Sequence, residues 1–175
     1  MMTVGHSTLP IEVFVGALKE NGVELLVDVR RFPGSRRYPQ FGQARLFEAL
    51  AEAGIRGVWR EGLGGRRAPR KDSINTAWRN ESFRGYADYM QTAEFAAEIN
   101  WLMGLPELDA TTVMCAEAVP WRCHRSLVAD ALVVLGVEVL HITGSGAPSP
   151  HQLTPFARVE GKRISYPADT LPLGI

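Results

Sequence analysis

The chain has 175 residues, 46% hydrophobic and 22% charged, with a formal net charge of zero at pH 7. This length suits one domain with its own core, and no apolar run approaches the ~18 residues of a membrane span. The start, "MMTVGHS", lacks the pattern of a signal peptide and two cysteines make no disulfide framework, so we expect one domain over residues 1–175, in the cytoplasm, with no membrane partner.

Hydrophobic periodicity predicts strands and helices that alternate along the chain. From the start we expect a short strand in "MTVG", a helix in "LPIEVFVGALKENG" and a buried strand in "VELLVDVR". A loop in "RFPGSRRYPQFG" comes next, followed by a helix in "QARLFEALAEAGI" and a short strand in "RGVWRE". A long loop, "GLGGRRAPRKDSINTAWRN", precedes one bent helix or two consecutive helices in "ESFRGYADYMQTAEFAAEINWLMGL". Then follow a strand in "ATTVMCAE", a helix in "CHRSLVADALVVLG", a strand in "VEVLHIT" and a hairpin in "LTPFARVEGKRISYP". This order predicts an α/β sandwich with a mostly parallel sheet and a small C-terminal hairpin.

The net charge of zero hides an uneven distribution of charged residues. Residues 30–84 contain 13 of the 19 Lys and Arg but only 5 of the 19 Asp and Glu, which gives this segment a charge of +8. Twelve of the 13 are arginines, which suit bidentate contacts to phosphate or carboxylate. The segment favours an anionic ligand such as a nucleotide, a nucleic acid or a phosphorylated metabolite. A solvated basic face that pairs with acidic helices is an equally good interpretation.

Polar residues with reactive side chains follow the predicted strands. Gly5, His6 and Ser7 follow the first strand, Asp28 and Arg30 end the second, Cys115 and Glu117 end a later one, and His141 ends the last. The carboxyl ends of parallel strands meet at one edge of a sheet, which is where open α/β sheets bind ligands. We therefore expect one shared pocket, although polar residues also collect wherever strands meet loops.

The stretch "MCAEAVPWRCHRS", residues 114–126, contains both cysteines of the chain. We expect Pro120 and Trp121 to begin the helix that runs to Leu135. The free N–H groups of its first turn, together with Arg122 and Arg125, would then bind a phosphate or carboxylate. A thiol at such a helix start has a lowered pKa. The alternative is that Cys123 packs as a small apolar residue.

Three kinds of chemistry remain open for this stretch. The first is a nucleophilic cysteine with Glu117 or a histidine as the base, although the spacing from Cys115 to Arg122 is one residue longer than in cysteine-based phosphatases. The second is a metal site of Cys115, Cys123 and His124 with His6 or His141, although the spacing is not that of a standard zinc finger. The third is acid–base work by Glu117 and a histidine, or no catalysis.

Five motifs carry a resemblance that spans nearly the whole chain. They are "VGHS", "LLVDVRRFPGS", "GLGGRR", "CAEAVPWRCHRSLVADAL" and "VEVLHI", in this order, and together they resemble the family catalogued as domain of unknown function 488. The resemblance implies a Rossmann-like α/β fold and a small bacterial or archaeal protein, and it implies no reaction. The family's motif positions fall on Gly5, His6, Ser7, Asp28, Arg30, Pro33, Ser35, Leu63, Gly64, Gly65, Cys115, Ala116, Glu117, Cys123, His124, Arg125 and His141.

These observations lead us to predict an enzyme, a hydrolase or a transferase, that acts on a small anionic substrate containing phosphate or a nucleotide. Its candidate catalytic residues are Cys115, Glu117, Cys123, His124 and His6, and its candidate anion-binding residues are Ser7, Asp28, Arg30, Gly64, Gly65, Arg122, Arg125 and His141. No residue is assigned to a metal. The alternatives are a protein that binds or modifies nucleic acid through residues 30–84, and a metal-binding protein. The sequence indicates no cofactor and no oligomeric state.

Overall fold

The computed structural model describes residues 1–34, 37–144 and 146–168. Six strands form the main sheet: β1 (Met2–Gly5), β2 (Leu25–Asp28), β3 (Arg56–Trp59), β4 (Thr111–Cys115), β5 (Leu140–Ile142) and β6 (Ser149–Pro150). Two more strands, β7 (Arg158–Glu160) and β8 (Arg163–Ser165), form a separate antiparallel hairpin. The helices are α1 (Ile11–Glu20), α2 (Gln43–Glu52), α3 (Glu81–Tyr89), α4 (Ala93–Met103) and α5 (Arg125–Val134). Among the helices of the described residues, none combines the length and the hydropathy that a membrane span needs.

The main sheet has the strand order β3-β2-β4-β1-β5-β6. All neighbouring strands from β3 to β5 pair in parallel, and β6 pairs antiparallel with β5 at the edge. The predicted α/β fold, with a mostly parallel sheet and a small C-terminal hairpin, is therefore confirmed. The edge strand β6 was not predicted. It has only two residues, one of them a proline, and so short a segment shows no strand periodicity.

Helices cover both faces of the sheet, so the molecule has the three layers of a Rossmann-like sandwich. On one face, α1 and α2 pack Phe14, Leu18, Leu46 and Leu50 into a buried cluster that includes Leu26 of β2. On the other face, Leu25 and Val27 of β2 belong to a second cluster with residues of α3, α4 and α5. We refer below to the α1 face and the α5 face. The alternation along β2 is the expected consequence of side chains that point to opposite sides of a strand.

The structure decides between the two expectations for residues 81–103 and corrects the start of one other helix. The segment 81–103 forms two helices, and Thr92 begins the second by accepting a hydrogen bond from the N–H of Phe95. The long helix expected from Pro120 is instead a short 3₁₀ turn, Pro120–Arg122, followed by the extended residue Cys123 and then α5 from Arg125. The expected helix start was therefore wrong, because Pro120 also suits the first position of a 3₁₀ turn.

The long basic loop between β3 and α3 is held in place by the buried carboxylate of Asp88. This carboxylate accepts hydrogen bonds from the N–H of Arg70 at 2.8 Å, the hydroxyl of Ser73 at 2.6 Å and the amide of Asn75 at 2.8 Å. Asn75 in turn accepts a hydrogen bond from the N–H of Tyr166 at 2.9 Å. The loop thus has a defined path without regular secondary structure, and its first residues reach the carboxyl end of the sheet.

Candidate functional site

The strands β1 and β4 form the point at which the chain reverses its direction across the sheet. From β1 the chain passes through α1 on one face to β2, and from β4 it passes through α5 on the other face to β5. The loops that follow β1 and β4 therefore leave the sheet toward opposite faces, and we call the carboxyl edge at these strands the crevice. Open α/β sheets bind ligands at such a point.

The loop after β4 lies across the end of β1. The N–H of His6 donates to the carbonyl of Cys115 at 3.1 Å, and the N–H of Ser7 donates to the carbonyl of Ala116 at 2.9 Å. The next carbonyl, that of Glu117, lies where a side chain at Gly5 would be. Glycine is therefore required at the end of β1 for this loop to take its path.

Arg125 holds the same loop through hydrogen bonds to its backbone. Its side chain is only 1% exposed, and its guanidinium donates to the carbonyl of Glu117 and, at 2.8 Å, to that of Ala118. The sequence suggests an anion-binding role for Arg125, but these donors are directed at backbone carbonyls. In the structure Arg125 positions the loop, and it does not line the cleft described below.

On the α1 face, Asp28 orients Arg30 toward the crevice. The buried carboxylate of Asp28 accepts hydrogen bonds from Nε of Arg30 at 2.9 Å and from Nη2 at 2.6 Å. The remaining nitrogen, Nη1, donates to the carbonyl of Phe41 at 2.7 Å and lies 3.4 Å from Nε2 of His6. Because the guanidinium is fixed in this way, its position at the crevice is set before any ligand arrives.

His6 lies between Arg30 and the aromatic ring of Phe41. Its ring stacks on Phe41 with centroids 4.1 Å apart, and its Nδ1 lies 3.0 Å from the carbonyl oxygen of Ser7. This contact requires the proton on Nδ1, so Nε2 accepts from Arg30. Burial, and then the positive charge of Arg30, lower the pKa of His6 to about 4. The imidazole is therefore neutral at pH 7 and acts as a hydrogen-bond acceptor.

Two adjoining hollows at this edge, of about 560 and 510 Å³, form one continuous cleft. They share seven lining residues, and the two together are lined by positively charged, aromatic and backbone groups. The side chains that matter most for the argument are Arg30, Phe32, Arg37, Arg66, Glu117 and Arg122. We call the continuous cleft that the two hollows form the arginine cleft.

Two residues of the arginine cleft have strained backbones. Ser7 has φ +48° and Arg66 has φ +58°, and these are the only residues other than glycine with a positive φ in the described ranges. Both line the arginine cleft. Strained conformations of this kind cost of order 1–3 kcal/mol and collect at functional sites.

Both cysteines reach the arginine cleft from the α5 face, together with His124. Cys115 ends β4 and Cys123 precedes α5, and they are 8% and 3% exposed. The Nδ1 atom of His124 lies 3.9 Å from Sγ of Cys115 and 3.8 Å from Sγ of Cys123. Both thiols are free, and the three atoms all lie within 4.8 Å of one another. We call these three residues the Cys–Cys–His cluster.

The two thiols differ in acidity because one donates a hydrogen bond to the other. The hydrogen bond from Cys115, helped by His124, holds the pKa of Cys123 well below its usual range. The same hydrogen bond, together with burial, raises the pKa of Cys115. Cys123 is therefore the thiol that ionises first.

Gly65 and Tyr86 fix the position of the His124 ring. A β-carbon at Gly65 would lie 2.7 Å from Nδ1 of His124, and the ring of Tyr86 packs against the imidazole with centroids 5.0 Å apart. A β-carbon at Gly64 would lie 2.8 Å from the carbonyl oxygen of Glu61. The sequence suggests both glycines as anion-binding residues; in the structure Gly65 allows the loop after β3 to approach His124, and Gly64 allows it to approach Arg31.

His141 is directed away from the arginine cleft. It lies in the middle of β5, and its two ring nitrogens contact the hydroxyl of Thr3 at 2.7 Å and Nδ1 of His151 at 2.9 Å. The other nitrogen of His151 lies 2.8 Å from the buried carboxylate of Asp130. Burial, and then the neighbouring His151, lower the pKa of His141 to about 4. His141 does not line the arginine cleft, and of the other candidate site residues Ser7 lines the cavity that His141 lines.

His141 instead lines a second, largely apolar cavity of about 920 Å³ on the far side of the loop after β4. Trp78, Trp121 and Phe156 contribute to its walls. Ser7 lines both this cavity and the arginine cleft. This cavity could not be predicted from the sequence, because its walls come from segments far apart in the chain.

Most of the remaining candidates line the arginine cleft, whereas Asp28 and Gly64 are not part of its lining. His6, Ser7, Arg30, Glu117, Arg122, Gly65 and the Cys–Cys–His cluster all line it. Sequence reasoning missed Phe32, Arg37 and Arg66, whose only sign was their place in the basic segment. Ser35, a motif position of the resemblance, lies outside the described residues.

Comparison with known proteins gives one match. A family model described as "Domain of unknown function DUF488" matches residues 10–132. This range contains Arg30, the basic loop and the Cys–Cys–His cluster. Comparisons with curated proteins and with solved structures gave no match.

Proposed function

Since the chain belongs to the family of domain of unknown function 488, a description that names no reaction, we propose a function from the arginine cleft itself. The protein is an enzyme, a hydrolase or a transferase, that acts on a small anionic substrate containing phosphate or a nucleotide. The observation that carries this proposal is that Arg30, Arg66 and Arg122 line the same cleft as the Cys–Cys–His cluster. The reducing conditions of the cytoplasm would keep both thiols free.

Charge supports an anionic ligand. Arg37, Arg66 and Arg122 are exposed at the cleft, whereas the charge of Arg30 is balanced by Asp28. Among the described residues that line the cleft, Glu117 is the one with a carboxylate side chain. The lining thus keeps a net positive charge, and arginines bind phosphate through paired, charge-assisted hydrogen bonds.

The reacting part of the substrate would face the Cys–Cys–His cluster. Cys123 supplies the more acidic thiol, and Glu117 supplies an exposed carboxylate at the rim of the same cleft. A reactive cluster beside a set of arginines is an arrangement that suits transfer of an anionic group. Arg125 and Asp28 would act as positioning residues, since each holds another part of the site.

Titration with inorganic phosphate, followed by calorimetry, tests the anion-binding part of the proposal. We expect Arg122→Ala to weaken binding about 10- to 100-fold, because one charge-assisted contact contributes about 1.5–3 kcal/mol. The control is Arg45→Ala, which removes an exposed arginine of the same basic segment on α2, outside the cleft lining. Equal binding by all three proteins, or no binding at millimolar phosphate, would overturn the proposal.

Turnover is tested with a panel of phosphomonoesters and nucleotides. We expect at least one to be consumed, and Arg122→Ala to lower kcat/KM for it while Arg45→Ala leaves it unchanged. If the protein binds phosphate but consumes none of these compounds, its function is restricted to binding.

One observation favours nucleic acid as a second candidate ligand. Phe32 is 63% exposed in the cleft, and the guanidinium carbons of Arg31 and Arg66 each lie 5.9 Å from the centre of its ring. An exposed aromatic ring between cations is a common platform for an unpaired base and its phosphates, with each stacked base contributing about 1–3 kcal/mol.

Binding of single-stranded DNA and RNA at several salt concentrations tests this candidate. The logarithm of affinity should fall linearly with the logarithm of salt concentration. Phe32→Ala should weaken binding about tenfold, and Ile74→Ala, a second exposed apolar side chain outside the cleft lining, should not. Absence of retention at low salt would reject nucleic acid as the ligand.

A further inference from the structure

The Cys–Cys–His cluster has the spacing of a metal-binding set. A tetrahedral zinc ion has Zn–S bonds of about 2.3 Å and Zn–N bonds of about 2.0 Å, so its ligand atoms lie about 3.5–3.8 Å apart. The distances from Nδ1 of His124 to the two Sγ atoms are 3.9 and 3.8 Å, and the two Sγ atoms are within 4.8 Å of each other. Small side-chain rotations would place all three atoms around one ion.

The chemistry of the donors points to one class of ion. Thiolate and imidazole together select zinc and related divalent ions over magnesium or calcium, which prefer oxygen. Two thiolates and one divalent cation sum to zero charge, which suits a site whose two sulfur atoms are buried. Two thiolates without a cation would place like charges together in a buried environment.

The surrounding structure holds the donors in place. Cys115 is fixed as the last residue of a central strand, and the His124 ring is packed between Gly65 and Tyr86. Tyr86 is itself anchored by a hydrogen bond of 2.8 Å from its hydroxyl to the carbonyl of Leu63. Donors held in position bind a metal more tightly, because less order must be created when the ion enters.

We propose that Cys115, Cys123 and His124 bind one divalent, sulfur-preferring ion of the zinc class at the floor of the arginine cleft. Two cysteines and one histidine leave the fourth position of a tetrahedral ion free, as in catalytic zinc sites. All three residues line the cleft, so this position is open to a water molecule or a ligand. The same bound molecule would meet both the ion and the arginines, a point that rests on the proposed function.

Metal content measured on untagged protein tests the proposal directly. After reconstitution with zinc and gel filtration, we expect about one zinc ion per chain. Cobalt substitution should give the intense visible bands of a tetrahedral site and a sulfur-to-cobalt charge-transfer band. Cys123→Ser and Cys115→Ser should each weaken binding more than about 100-fold, since loss of an outer-shell partner alone costs 10- to 100-fold.

Met114→Leu is the matched control. Met114 is adjacent to Cys115 on the same strand, but it packs on the α1 face, and leucine conserves its volume. This variant should bind zinc like the parent protein. If a cysteine variant does not fold, the wild-type protein still decides the question: zinc should protect both thiols from alkylation, and a chelator should expose them.

Several results would overturn the proposal. They are less than about a tenth of an equivalent of zinc after reconstitution, cobalt spectra without a sulfur band, or a Cys115–Cys123 disulfide in protein purified under reducing conditions. These measurements do not use phosphate or any substrate. The metal proposal and the anion-binding proposal can therefore fail separately.

Discussion

The carbonyl oxygen of Glu117 occupies the space in which a side chain at Gly5 would lie. This close approach brings the loop after β4 over the end of β1, where the guanidinium of Arg125 donates hydrogen bonds to the backbone carbonyls of the loop. Residues of this loop line the arginine cleft, so the shape of the cleft depends on this contact. Substitution of Gly5 is therefore a direct test of how the site is built.

Gly5→Ala should destabilise the protein strongly. Its β-carbon would overlap the Glu117 carbonyl and lie 3.0 Å from Nη1 of Arg125, so backbone must move. We expect the free energy of unfolding in urea to fall by about 3 kcal/mol or more. The control is Gly16→Ala in α1, where a β-carbon meets nothing within 4 Å. That change should stabilise by about 0.5–1 kcal/mol, and an unchanged stability for Gly5→Ala would contradict the packing described.

Asp28→Asn should destabilise the protein far more than a matched change in an exposed ion pair. It leaves the buried guanidinium of Arg30 without its counter-charge, which costs about 3–5 kcal/mol. Asp72→Asn removes the same kind of partner from Arg70, but both of these side chains are exposed. It should therefore have little effect on chemical denaturation. Similar losses in the two variants would show that the Asp28–Arg30 pair is not the fixed, buried element described.

Stability should fall as the pH is lowered from 6.5 toward 4. Burial lowers the pKa of His6 and of His141 to about 4, below the usual value of 6.5 that each regains on unfolding. Within this window the unfolded chain binds more protons than the folded chain, so protonation favours unfolding. Denaturation measured between pH 7.5 and 5 should show this slope, and His6→Gln should make it shallower. A flat profile for the wild-type protein would contradict the burial of neutral imidazoles.

Gly65→Ala should disturb the cluster through His124. The new β-carbon would lie 2.7 Å from Nδ1, the atom that faces both sulfurs, so the ring must turn or shift. We expect zinc affinity, measured by competition with a chelating dye, to fall at least about tenfold. Gly104→Ala is the control, since its β-carbon would make ordinary contacts at 3.4 and 3.6 Å. Equal affinities would show that the position of His124 is not set by Gly65.

The strand ends could be predicted from the sequence because buried apolar runs stop at polar residues. "LLVD" and "TTVMC" end at Asp28 and Cys115, and parallel pairing then places both at the same edge. The same reasoning placed Gly5 and His6 beside them. Hydrophobic periodicity is a local property, and these positions depend only on where each strand ends.

Positions set by long-range contacts could not be predicted in this way. From the sequence, Arg125 is predicted to bind an anion at a helix start. In the structure its partners are the carbonyls of Glu117 and Ala118, and their positions depend on the path of a loop. His141 ends an apolar run in the sequence, but its partner His151 comes from a later segment without periodicity. Arg66 and Phe32 lie in two different loops, which are connected by the hydrogen bond from Nη1 of Arg31 to the carbonyl of Arg66.

Crystals soaked in millimolar tungstate, a strongly scattering analogue of phosphate, test the central claim most directly. The anomalous signal locates a bound anion without any assumption about the reaction. We expect a peak in the arginine cleft within hydrogen-bond distance of Arg30, Arg66 or Arg122, and its loss in Arg122→Ala crystals. A peak only elsewhere on the molecule, or an empty cleft with ordered arginine side chains, would contradict the claim that this cleft binds anions.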